Sequence, residues 1–209
     1  MGYTLRIGTN ASMDRLESLI SQRLEAGADK VAIDARIRDL FGERWAVMFT
    51  DLSGFSRGVA EFGIVHFLQV IFESLRVLSP VIESHDGVLL KMEGDSMLVI
   101  FRRPARALDC ALAMQRALKD YNKDKGGEEQ ILLCLGLGYG DMLRIGDDDV
   151  FGAEVNAASK LGEDTADPWE ILVTDDFKTA LEKTDGLSFE ELPEAPPGAD
   201  KAYRVGYSF

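Results

Sequence analysis

An α+β fold built on a βαββαβ unit is what this sequence predicts, and three observations carry the prediction. Four short apolar stretches, WAVMFT, VLLKM, SMLVIF and QILLCLGLGYG, have the length and residue types of strands. The segments after the first and after the third have apolar residues at helical spacing instead. The second and third stretches lie so close that they read as a hairpin over Glu93-Gly94.

Taken in order, residues 11–41 read as two helical pieces. Apolar positions fall at Leu16, Leu19, Ile20 and Leu24, then at Val31, Ile33, Ile37 and Leu40, with Gly27 as the break. We expect residues 1–43 to be a helical extension, for packing or dimerisation, and 44–209 to be one domain. WAVMFT is a buried strand ending at Asp51. Residues 57–83 carry a helical stripe at Ile64, Phe67, Leu68, Ile71, Leu75 and Leu78, which Pro80 is expected to kink or end. ARALDCALAMQRALKDY is the second helix and QILLCLGLGYG a long last strand, followed by further C-terminal αβ elements.

Strand, helix, hairpin, helix, strand is the ferredoxin-like, palm-like order, in which the first and third strands are central neighbours. The end of the first strand therefore lies beside the hairpin turn, and Asp51 converges with Asp95. Across the expected turn Met92 opposes Asp95 and Lys91 opposes Ser96, so alternation sends Lys91 and Asp95 to opposite sides. In the last strand Gly136 and Gly138 alternate with leucines, so one face has no side chains there, and either a ligand or, the favoured option, a helix approaches it closely.

Bulk composition sets limits. With 209 residues, 46% hydrophobic and 28% charged, the chain has the make-up of an ordinary globular protein. Its net charge of −13 argues against non-specific binding to nucleic acid or to anionic membranes, though not against a polyphosphate held by metal ions. No unbroken apolar run approaches about 18 residues, and MGYTLRIGTNASMDRL lacks a signal-peptide core, so a cytoplasmic location is expected. Cys110 and Cys134 sit in apolar stretches and read as buried free thiols.

Three stretches carry chemistry. FTDLSGFS turns from strand to helix through Ser53, Gly54 and Phe55, where backbone N–H groups can meet phosphate. Asp51 and Asp95 are the right number and type of ligand for Mg²⁺ shared with a substrate. In DDDVFGAEVNAASKLGED a helix starts near Gly152, and Asn156 and Lys160, at i and i+4, share one of its faces. The neighbouring Ala157, Ala158 and Ser159 suggest close packing, against a partner chain among the options.

Together these stretches resemble the catalytic domain of class III nucleotidyl cyclases, the adenylyl and guanylyl cyclases, over about residues 44–207. The family's F-x-D-[I/L]-x-G-F element stands as FTDLSGF, its K-x-x-G-D hairpin as KMEGD, and its D-x-x-G-x-x-V-N-x-A-x-[R]-L element as DVFGAEVNAASKL. The resemblance implies two divalent metal ions, Mg²⁺ or Mn²⁺, on Asp51, Asp95 and the backbone carbonyl of Leu52. It implies that Lys91 and Asp149 read the purine and that Asn156 positions the ribose. It also implies a homodimer with two shared sites. Lys160 stands where the family has a transition-state arginine, which keeps the charge and loses the planar fork. The lysine that many members place near the C-terminus for the triphosphate has no match in ELPEAPPGADKAYRV, where Lys201 lies close to the final strand, and Asp141 stands where some members have arginine.

Base choice follows from donors and acceptors. Adenine offers an acceptor at N1 and a donor at N6, and guanine reverses both. Lysine only donates and an ionised aspartate only accepts, so Lys91 and Asp149 fit adenine. The expected activity is therefore conversion of ATP to 3′,5′-cyclic AMP and pyrophosphate. Two other readings stay open on the residues alone: a weak or inactive homologue that binds nucleotide or dimerises, and a guanylyl cyclase.

Overall fold

A computed structural model describes residues 11–53, 62–182 and 185–208. Two helices, α1 (Ala11–Leu24) and α2 (Lys30–Phe41), come first, joined through Gly27 at φ +81. Asp29 caps α2 by accepting from Ala32 N–H at 3.0 Å. Then follow β1 (Gly42–Leu52), α3 (Ile64–Ser84), β2 (Val88–Glu93), β3 (Ser96–Phe101) and α4 (Pro104–Tyr121). The chain continues through β4 (Leu133–Ile145), β5 (Asp149–Phe151), α5 (Ala153–Ser159) and a π-helical turn over Lys160–Thr165. It closes with β6 (Ile171–Thr174), α6 (Asp175–Thr179), β7 (Ser188–Glu191) and β8 (Ala202–Gly206).

The strands form one eight-stranded sheet in the order β2-β3-β1-β4-β6-β8-β7, with β5 paired to β4. The run β2-β3-β1-β4 is the expected βαββαβ arrangement, with β1 and β3 adjacent and antiparallel. β1 pairs with β4 along its whole length, from Gly42 opposite Leu143 to Leu52 opposite Leu133.

Alternation on these strands builds two cores. Ala46, Met48, Leu52, Met97, Val99, Phe101, Leu133, Leu135 and Leu137 face α3, α4 and α6. Val47, Leu98 and Ile100 face the other way and pack with Val150, Val155 and Ala158 around α5. Each such large side chain, fully buried, contributes about 1.5–3 kcal/mol. The glycine stripe of β4 receives α5, as its alternation suggests. A Cβ on Gly136 would lie 2.1 Å from the Ala158 carbonyl oxygen, and one on Gly138 would lie 2.6 Å from that of Glu154. Ala157 and Ala158 are thus buried against the chain's own sheet.

The structure qualifies two expectations and corrects one, the register of the hairpin. Pro80 lies inside α3, which continues to Ser84; the helix absorbs one missing N–H donor four residues before its end. The hairpin turn is Gly94-Asp95, closed by Glu93 opposite Ser96, so the pairing differs by one residue from that expected. Gly94, at φ +61, supplies the backbone conformation that such a two-residue turn needs at its first position. In the N-terminal helices Leu19, Ile33, Ile37 and Phe41 pack on Ile145, whereas Ile20, Leu24, Val31 and Leu40 are exposed. Only half of the apolar stripe is used within the chain. By length and mean hydropathy α3 alone among the described helices is apolar enough to cross a membrane; here it packs on the sheet through Phe67, Ser74, Leu78 and Ile82.

Candidate active site

The corner where β1 meets the β2–β3 turn holds Asp51 and Asp95. Asp51 is the penultimate residue of β1, and alternation puts Leu52 in the core beneath α3 and α4 and Asp51 on the opposite face. Ser96, the first residue of β3, donates its hydroxyl to Asp51 Oδ1 at 3.2 Å. Asp95 is turned inward from the hairpin, and its Oδ2 is buried with no hydrogen-bond partner among the described residues.

Burial raises the Asp51 carboxyl to about 6, helped by the negative charge of Asp95 and then of Glu163, while the Ser96 hydroxyl and the Leu52 N–H work the other way. Asp95 is raised too, chiefly by burial, with the Leu52 N–H holding it down and Glu163 pushing it up. Two neighbouring half-buried carboxylates, one with a buried oxygen that has no partner among the described residues, form a site short of positive charge. That fits a divalent cation. Among the described residues no third His, Cys, Asp or Glu completes a ligand set, which suits Mg²⁺, since it keeps waters and substrate oxygens.

Lys91 lies on the α5 side of the sheet. It opposes Leu98 across β2–β3, and Leu98 belongs to the α5-side core. Glu93, Ser96 and Asp51 share that face, so the expected opposite facing of Lys91 and Asp95 is not found; Asp95 sits in the turn itself. Lys91 Nζ donates to Asp149 Oδ2 at 2.9 Å, joining two residues 58 positions apart. A second ion pair, to Glu93 Oε1 at 2.9 Å, holds Lys91 from its own strand. Partial burial works against the Lys91 charge, but the bonds to Asp149 and Glu93 outweigh it and its pKa is raised. Asp149 also accepts from the Val150 N–H at 2.8 Å, which fixes its carboxylate.

Asn156 and Lys160 both project from the exposed side of α5 and the π turn. Asn156 Nδ2 donates to the Pro197 carbonyl at 2.7 Å, and Lys160 Nζ donates to Asp164 Oδ2 at 2.6 Å. Glu154, on the opposite side of α5, pins the helix to the sheet by accepting from Tyr139 N–H and from the Thr174 hydroxyl. Ser53 N–H donates to the Leu132 carbonyl at 2.8 Å, so this amide is not the phosphate donor expected of it. Gly54 and Phe55 lie outside the described residues.

The other groups weighed in the sequence have structural partners. His66 bonds the Glu128 carbonyl, His85 bonds that of Val81, and Cys110 and Cys134 are free and buried. Lys201 pairs with Glu191, and Arg144 with Asp147. A cavity of about 1040 Å³ opens between α1–α2 and the β4–α5 side, but none of the predicted site residues lines it.

Sequence reasoning missed Ser96, Glu93, Glu163, Glu154 and Pro197. Ser96 was within reach, since it follows Asp95 and opens β3. Glu154 had only the glycine stripe as a hint, and Pro197 had none.

The family model for the adenylate and guanylate cyclase catalytic domain matches residues 42–196. A Rhizobium meliloti (strain 1021) protein named "Putative adenylate cyclase 3" is 32% identical over 130 residues, covering 62% of this chain and 22% of that protein. The chain thus spans about a fifth of the length of that curated relative. Among solved structures, an adenylate/guanylate cyclase/hydrolase from Silicibacter pomeroyi superposes with a TM-score of 0.66 at 25% identity, over 80% of this chain and 99% of that one. The guanylate cyclase domain of RhGC from Catenaria anguillulae, in complex with GTP, has a TM-score of 0.64 at 18% identity, over 80% and 98%. The last of these is a likeness of fold.

Proposed function

The chain belongs to the adenylate and guanylate cyclase catalytic domain family, and on that premise we propose that it is an adenylyl cyclase, converting ATP to 3′,5′-cyclic AMP and pyrophosphate. The observation that carries the choice of base is the bond between Lys91 and Asp149, a donor-only and an acceptor-only group held 2.9 Å apart. Adenine complements such a pair, and guanine sets like against like.

In this reading Asp51, Asp95 and the Leu52 carbonyl would hold two divalent cations, Mg²⁺ or Mn²⁺, which would supply charge neutralisation at the transferring phosphoryl group and acidity to the ribose 3′-hydroxyl. Lys91 and Asp149 give up their mutual bond to read the adenine edge. Asn156 orients the ribose so that its 3′-oxygen attacks the α-phosphorus, and Lys160 brings positive charge to the phosphoryl oxygens. The bond from the α-phosphorus to the bridging oxygen breaks, pyrophosphate leaves, and the hydroxyl proton goes to solvent. The segment Ser53, Gly54 and Phe55 meets the triphosphate, through groups other than the Ser53 N–H. We assign the work to residues 44–209 in a homodimer with two shared sites, metal carboxylates from one chain and base-reading and ribose-positioning groups from the other.

Purified protein assayed with Mn-ATP, Mg-ATP and Mn-GTP tests this directly. Cyclic AMP as the main product is the expected result. Absence of any cyclic nucleotide, at concentrations where the protein is dimeric, overturns the enzyme reading. Faster turnover of GTP than of ATP overturns the adenylyl one. A weak enzyme is favoured by one observation, that Lys160 replaces the family arginine and is engaged by Asp164.

A further inference from the structure

The segment between β7 and β8 has no part in the reaction as derived so far, yet it touches Asn156. Residues Pro196 to Ala199 form a turn closed by Ala199 N–H donating to the Pro196 carbonyl at 3.2 Å. Pro197 and Gly198 are its central residues, and Gly198 has φ +109. Proline at the first central position and a positive φ at the second define a type II turn, whose central peptide is flipped relative to type I. The central peptide carbonyl is that of Pro197, the group that accepts from Asn156 Nδ2 at 2.7 Å. Gly198 also lies hard against the first turn of α5, where a Cβ would come within 2.3 Å of the Ala153 carbonyl oxygen. Glycine at 198 therefore does two things: it turns the Pro197 carbonyl toward Asn156 and lets the turn approach the helix.

We propose that the Pro197 carbonyl, held by the Pro197-Gly198 turn, is a positioning group that fixes the Asn156 side chain for the ribose. A carbonyl can only accept, so only the NH₂ end of the amide can face it. The amide is thereby oriented by chemistry, with Oδ1 left as an acceptor at an exposed position. What Asn156 offers the substrate is an acceptor in a fixed orientation, suited to a ribose hydroxyl, with the second N–H of the amide beside it. A free asparagine side chain would have to be ordered in each turnover; this one is ordered beforehand. The role rests on the cyclase reading, while the contact itself does not.

Two measurements test it. The first is a double-mutant cycle of cyclase turnover with Gly198→Ala and Asn156→Ala. Gly198→Ala should lower kcat by about tenfold, the value of one hydrogen bond in a fixed geometry, with KM for Mn-ATP little changed. In the Asn156→Ala background the same change should add nothing. If Gly198→Ala slows both backgrounds equally, its effect is structural and the proposal fails. The second is the side-chain amide NMR signal of Asn156, assigned by its loss in Asn156→Ala. Slow solvent exchange is expected in the parent protein and fast exchange in Gly198→Ala, and an unchanged signal in that variant overturns the proposal. A parent protein with the slow-exchanging amide but no cyclic nucleotide product overturns the cyclase reading, and with it the role, while the contact stands.

Discussion

The carboxylate corner and the side of the site proposed to read the base are built on opposite electrostatic terms. At the corner, needs are unmet: Asp95 has a buried oxygen without a partner among the described residues, and burial with like charge raises Asp51 to about 6. On the other side every predicted group is satisfied from within the chain, Lys91 by Asp149, Asn156 by Pro197 and Lys160 by Asp164. A frustrated corner attracts a cation with no need for rearrangement. A satisfied surface yields only to a ligand that replaces the bonds it breaks, and that exchange is where discrimination arises. Affinity for metal and choice of nucleotide are thus assigned to different parts of the site.

The harshest way to break this contrast is at the corner. Asp51→Ala or Asp95→Ala should reduce cyclic AMP formation by about 10³-fold or more and abolish Mn²⁺ binding in a calorimetric titration. Mixing Asp51→Ala chains with Asn156→Ala chains should restore roughly a quarter of parental activity, because half the dimers then carry one intact site. No recovery on mixing would count against shared sites.

Base choice is the next test. Lys91→Glu replaces the donor with an acceptor and should move the ATP-to-GTP ratio of kcat/KM by about 10²-fold or more toward GTP. An unmoved ratio would separate Lys91 from recognition.

Protons sharpen the contrast further. The Asp51 carboxyl is raised from 3.8 to about 6, so in the metal-free fold it is protonated below that value and charged above it. Its contribution to stability is therefore fully present below pH 3.8 and lost as pH rises through about 6. A bound cation relieves that loss. Mn²⁺ affinity should fall by about tenfold per pH unit below about 6, as the proton competes for the carboxylate, and Mn²⁺ should raise the melting temperature more at pH 7.5 than at pH 5. These pH values are set by the Asp51 shift.

The smallest expected effect is Lys160→Arg. Restoring the planar fork should raise kcat by about three- to tenfold, with ATP preference unchanged. A change in base preference would mean that Lys160 acts beyond the phosphoryl group.

Much of this was legible before any coordinates. The order of strands and helices places Asp51 beside Asp95 because β1 and β3 must be neighbours in that topology, and β2-β3-β1-β4 bears it out. The glycine stripe pointed to a close approach on its face, by a helix or by a ligand, and a helix packs there. Register was the weak point. Glu93-Gly94 and Gly94-Asp95 are both plausible turns; moving the turn by one residue keeps Lys91 on the face of Ser96 but takes Asp95 out of the strand, so alternation no longer fixes where Asp95 looks. The partner of Asn156 was illegible for a different reason: Pro197 acts through its main-chain carbonyl, which any residue has. Asp164, four residues after Lys160, was within reach of i,i+4 reasoning.

The glycine stripe of β4 also sets a tolerance for change. Because Gly136 and Gly138 touch the backbone of α5 and its π turn, even a methyl group at either has nowhere to go. Their neighbours Leu135 and Leu137 are buried on the other face among deformable side chains. Saturation mutagenesis along this strand should therefore read like a barcode, with positions that accept other aliphatics alternating with positions that accept nothing. The spacing between sheet and helix is in effect a gauge block, and the reach of Asn156 is machined against it.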